Sequence, residues 1–246
     1  VYGDDDSSGE LDTLRAAYSK QRSKLPSWLS EKEIYSIWDD HDYGENDGDK
    51  NFSIKKESKE LMVNFLNIDK DADVRQREGA YQSYTFGEGE KKVKILLLDG
   101  RYFRDELKNN IVRFGQRYHK NETGDILGEA QWKWLEGELT NSDAAIHIIG
   151  CGIQVVPVEH NYEKWANFPM AHQRLYNLLN QTQPSRAILL SGDRHIAEIS
   201  SIQLDSLDYP LYDITSSGLT HSYEKVDQNG EPNQYRVNNI LNHIYN

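Results

Sequence analysis

The chain has 246 residues, 37% hydrophobic and 11% aromatic, enough to bury a sizeable core and too apolar for wholesale disorder. Its 40 acidic and 28 basic residues give a net charge of −12, which argues against a surface built to hold nucleic-acid phosphates, while a phosphorylated small molecule stays open where a cation supplies local charge. A single cysteine, Cys151, excludes an intrachain disulfide and a thiolate cluster, and no run of about 18 apolar residues marks a transmembrane segment.

The first helical pattern is SGELDTLRAAYSKQRS, starting at Ser8. The run EIYSIW (33–38) reads as a buried strand and goes straight into the acidic DDHDYGENDGDK. SIKKESKELMVNFLNI is the second helical pattern, and 69–79, DKDADVRQREG, reads as an exposed loop. A second strand is expected in KVKILLLDGR (92–101), followed by the helical TGDILGEAQWKWLEGELTNSD, where Leu127, Trp134, Leu135 and Leu139 can share one face. AAIHIIG (144–150), the helical FPMAHQRLYNLLNQT, and the strands SRAILLSGDRH (185–195), AEISSIQL (197–204) and PLYDITSSG (210–218) complete the pattern, with 223–246 weakly patterned. Several strand runs are continuously apolar, which suggests strands covered on both faces. Strand and helix alternate, with hairpin-like strands late in the chain, so the class is α/β with mixed sheets. No repeat, Pro-rich linker or low-complexity block divides it, and residues 1–246 are expected to form a single domain.

Polar clusters recur where these strands end: DDHD after IYSIW, RYFRD after ILLLDG, and DRH after AILLSG. Open α/β sheets typically deliver functional groups there, because a rigid strand aims the loop behind it. Asp193 and His195 could each reach one of two adjacent cations, although a turn with a self-bonded Asp and an exposed His satisfies the same spacing. Asp40, Asp42, Asn46 and Asp47 offer oxygen ligands suited to hard cations, and His41 a ligand or proton donor; a solvated acidic turn is the alternative. Arg101 is the better candidate for a phosphate contact, whereas Arg104 suits a salt bridge in a chain this acidic. Cys151 reads as a small buried residue, the aromatics of EAQWKWLEGEL as core, and His147, His160, His172 and His221 have no ligand-like spacing.

In order, IWDDHDYGEND, LLLDGRYFRD, GEAQWKWLEGEL, IIGCGIQV, ILLSGDRHIAEIS and YDITSSGLTHS resemble the alkaline phosphatase D (PhoD-like) family of the calcineurin-like metallophosphoesterase superfamily, from about Val1 to Ser222. The resemblance implies a four-layer α/β/β/α sandwich whose strand ends hold two metal ions, iron and calcium. By carry-over Asp193 binds the calcium-type metal and His195 the iron-type metal. Asp40 stands where the superfamily has a metal-binding Asn, and His41 where it has the histidine that assists the leaving group. Asn46 is a second candidate oxygen ligand, and Arg101 a candidate phosphate contact. The family pattern opens on GD-x-x-Y, whose Asp bridges both metals and whose Tyr binds iron, after a strand bearing a Cys ligand. Here the chain opens VYGDDD, which makes Tyr2 the tyrosine ligand and lacks that Asp and that Cys, so the N-terminal part of the family domain is expected to be missing.

The function this resemblance implies is a metal-dependent phosphoric ester hydrolase acting on a small phosphomonoester or phosphodiester, with no specific nucleic-acid binding. The alternative is a non-catalytic cation-binding or interaction domain with an incomplete metal site. Secretion or a periplasmic home is implied by resemblance alone.

Overall fold

Short runs of Ile, Leu and Val make the sheet of this protein, and the amphipathic runs between them make its helices. The computed structural model describes residues 9–111, 117–217 and 232–237. Its strands are β1 (Gln82–Phe86), β2 (Val93–Leu97), β3 (Lys108–Asn109), β4 (Tyr118–His119), β5 (Ile146–Gly150), β6 (Ala187–Ser191), β7 (Ala197–Ile202) and β8 (Leu211–Ser216). The helices are α1 (Leu11–Lys24), α2 (Asp40–Tyr43), α3 (Lys55–Phe65), α4 (Asp73–Gln76), α5 (Gly128–Thr140) and α6 (Pro169–Thr182). None of the described helices is long and apolar enough to cross a membrane.

Six strands form a mixed sheet in the order β1-β2-β5-β6-β8-β7, with β2, β5, β6 and β8 parallel and β1 and β7 antiparallel at its two ends. Among the described residues this is the one large sheet; β3 and β4 form a separate two-stranded ribbon. The four parallel strands all end on the same side, which brings the segments after β2, β5 and β6 together.

The two faces of the sheet differ. Leu96, Ile149, Ala187 and Leu189 pack under Trp132, Leu135 and Leu139 of α5 and Leu175 and Leu179 of α6, in the larger of two cores. Spacings of three and four residues put these side chains on one stripe of each helix, and Pro169 starts α6 where its missing N–H costs nothing. Trp132 fills the stripe, while Trp134 is only partly buried against it. On the opposite face Ile95, Ile148, Ile188 and Ile214 are half-buried, and Leu190 and Tyr212 are 41% and 38% exposed. The expectation of strands covered on both faces therefore holds for the helical side alone among the described residues. The smaller core joins α1 and α3 to Trp38, Tyr43, Phe52 and Tyr102.

Residues 33–38, expected as a strand, enter no ladder. The edge of β2 is already taken by β1, a strand whose QSYTF sequence carries little apolar signal. Tyr35 instead lays its ring against Tyr84 and Phe86, with centroids 4.3 and 5.2 Å apart. The expected loop at 69–79 contains the short helix α4. Tyr2, Asp4 to Asp6 and His221 lie outside the described residues.

Candidate metal centre

Asp39 and Asp42 explain part of the acidic run, because they cap α2 reciprocally: the Asp39 amide donates to Asp42 Oδ2 at 3.2 Å, and Gly44 ends the helix at φ +114°. This one-turn helix is held over the strand ends by Trp38, whose indole N–H donates to Asp99 Oδ1 at 2.8 Å. Asp99, wholly buried just after β2, also accepts from the amides of Ala80, Arg101 and Tyr102.

The other side of the site comes from β6. Asp193 stands in a tight turn, with Arg194 N donating to Gly192 O at 2.7 Å and Asp193 at φ +65°; His195 follows at φ +53°. Non-glycine residues held in the left-handed region cost about 1 kcal/mol or more and concentrate at functional sites. Gly192 N donates to Gly152 O at 2.9 Å, tying this turn to the end of β5. Gly152 has no space for a side chain: a Cβ there would lie 2.3 Å from Asp39 Oδ1.

These loops bring Asp39, Asp40 and Asp193 together, with one carboxylate oxygen from each within 4.8 Å of the others. Asp40 accepts from the amides of His41 at 2.8 Å and Asp47 at 3.1 Å, and His41 Nε2 lies 3.9 Å from its Oδ2. Burial opposes its charge, but Arg101, His41 and those amides hold the Asp40 carboxyl below its ordinary value. Burial, with Asp39 and Asp40 close by, pushes Asp193 well above the carboxylate range. Asp39 Oδ2 is buried without a hydrogen-bond partner among the described residues.

Two guanidiniums face these acids. Arg101, 1% exposed, donates from Nε (2.8 Å) and Nη2 to Asp39 Oδ1 and from Nη1 to Glu163 Oε2 at 2.6 Å. Arg104, fully buried, pairs through Nε with Glu163 Oε1 at 3.0 Å and donates from Nη2 to the carbonyls of Asp47 and Gly48. Four carboxyl groups (Asp39, Asp40, Glu163 and Asp193) share two arginines, so burial and mutual repulsion raise Asp39, Glu163 (to about 7) and Asp193, and a dication among them would favour their charged forms.

The residues expected from the sequence are therefore placed unequally. Asp40 and Asp193 meet, with His41 alongside. Asp39, which sequence reasoning missed, joins them; its one advance signal was adjacency to Asp40. His195 is half-buried outside the trio, and its backbone N–H donates to Ser217 Oγ at 3.1 Å. Asn46 is exposed, and its amide donates to Asp47 Oδ2 at 3.0 Å. Each nitrogen of Arg101 donates to a carboxylate inside the protein, and Arg104 makes the salt bridge expected of it. Cys151 is buried against Trp165, with burial pushing its thiol up to about 12, as suits a packed residue.

Three carboxylates, one of which has a buried oxygen without a hydrogen-bond partner among the described residues, fit a hard divalent cation better than a soft one. A parallel-centred α/β sheet with such a group at its strand ends has the layout of an open α/β protein that binds its ligand there. The family model for PhoD-like phosphatase matches residues 10–238, and the chain belongs to the PhoD-like phosphatase family. Among solved structures, one titled "Structure of PhoD" aligns with a TM-score of 0.67 at 18% identity, covering 85% of this chain and 45% of that chain. The present chain thus spans less than half the length of that relative. No curated protein matches the sequence.

Proposed function

We propose that this chain carries the cation-binding and leaving-group side of a metal-dependent phosphoric ester hydrolase acting on a small phosphomonoester or phosphodiester. The observation behind this reading is the meeting of Asp39, Asp40 and Asp193 at the strand ends with His41 beside them. These three carboxylates would hold a calcium-type divalent cation, which when bound supplies Lewis-acid charge to phosphoryl oxygens. His41, on the rim of the group, donates the proton that the leaving alkoxide needs. Asp40 holds the His41 ring by charge, and Arg101 fixes Asp39. An iron-type partner metal would take Tyr2 and His195, and Asn46 would be a further oxygen ligand; these assignments rest on family resemblance.

The test is elemental analysis of the purified chain alongside hydrolysis of a chromogenic phosphomonoester and the matching diester. Bound metal with turnover supports the hydrolase, and the rate ratio chooses between the ester types. His41→Ala should keep the metal and lower kcat about 100-fold, more for poor leaving groups than for good ones. Equal slowing of both would remove His41 as the acid. One bound calcium-type ion without turnover favours the second reading, a cation-binding module.

A further inference from the structure

Glu163 belongs to none of the motifs, yet it is buried to 1% exposure in the segment between β5 and α6. A lone carboxylate at that depth is costly unless cations and hydrogen bonds surround it. Both of its oxygens meet guanidiniums: Oε2 takes Arg101 at 2.6 Å and Oε1 lies 3.0 Å from Arg104. Each arginine then reaches a different end of the acidic segment. Arg101 grips Asp39 through two nitrogens, and Arg104 grips the backbone carbonyls of Asp47 and Gly48. One carboxylate thus closes a chain of charges that spans the segment carrying Asp39, Asp40 and His41.

We propose that Glu163 is a positioning residue for the cation group: by bridging Arg101 and Arg104 it fixes the Arg101 fork on Asp39, turns Asp39 towards Asp40 and Asp193, and keeps the guanidinium from moving in between those two carboxylates. This rests on the cation reading of the trio. Removing the charge of Glu163 leaves Arg101 with one carboxylate instead of two. Asp40 and Asp193, which already feel its field, are the nearest replacements. An arginine drawn between them would occupy the charge that a dication needs.

Calcium titration of the whole chain by calorimetry, with thermal unfolding in chelator alongside, tests this. Wild type should bind one calcium. Glu163→Gln should bind it at least tenfold more weakly while the cation-free melting temperature stays within a few degrees. Glu163→Asp, which keeps the charge on a shorter arm, should recover part of the affinity. If Glu163→Gln does not fold, Glu163→Asp decides alone, with at least a threefold weakening expected. Wild-type affinity in whichever variant folds overturns the proposal, as does a drop in melting temperature with affinity unchanged, the mark of a packing role. No calcium bound by wild type overturns the cation reading itself, a different result from binding that Glu163 does not affect.

Discussion

At the scale of single residues, the site depends on how closely Gly152 approaches Asp39. Gly152→Ala would push a methyl group into the Asp39 carboxylate, at 2.3 Å from Oδ1, and the Arg101 pairing behind it leaves little room to yield. The expected result is a stability loss of about 1–3 kcal/mol and calcium binding weakened tenfold or more, read by denaturant unfolding and calorimetry. His172 makes a second residue-level prediction. Burial pushes its pKa down from 6.5 to about 4, so the fold keeps the ring neutral while the unfolded chain takes up a proton. Stability is therefore unaffected above about pH 6.5 and is lost as pH falls from there towards 4, by about 3 kcal/mol for this group. His172→Phe should flatten that part of the acid-unfolding curve; an unchanged slope would show that the ring is not held neutral. Asp40 and Asp193 were legible in the sequence because each follows an apolar run in a short polar motif. Asp39 and Glu163 were not, since which of two adjacent aspartates faces a neighbour depends on the cap of α2, and Glu163 has no local pattern at all.

At the scale of elements, most of the sheet and the longer helices follow from hydrophobic period, which reports burial directly. The errors fall where burial and pairing separate. Residues 33–38 have the apolar content of a strand, but the edge they could have joined belongs to β1. Edge-on contacts of Tyr35 with Tyr84 and Phe86 half-bury part of that content without backbone pairing. Nor could the sequence distinguish the faces of β6, since a continuous apolar run has no alternation to read. Leu189 is 1% exposed under the helices, whereas Leu190, its neighbour, is half-open on the far face. Leu189→Ala should cost about 3 kcal/mol and Leu190→Ala less than about 1 kcal/mol in denaturant unfolding. Equal costs would mean that the far face is covered in solution.

At the scale of the whole molecule, a chain of net charge −12 places four buried or partly buried carboxylates at one end of its sheet with two arginines among them. With all four ionised that arrangement is unfavourable without added positive charge, so the fold and the cation should be linked: calcium at 100 times its dissociation constant should stabilise the protein by about 2.7 kcal/mol. The family was legible from six ordered motifs, and the α/β class from alternating strands and helices. Tyr2 lies outside the described residues, and His195, which the resemblance assigns to a second metal, stands outside the Asp39, Asp40 and Asp193 group. The most direct test of the central claim is to measure calcium bound per chain in wild type and in Asp193→Asn. The account predicts one calcium per wild-type chain and loss of that binding in the variant, with the variant still folded. Equal binding by the two, or none by wild type, would contradict a cation site built on Asp39, Asp40 and Asp193.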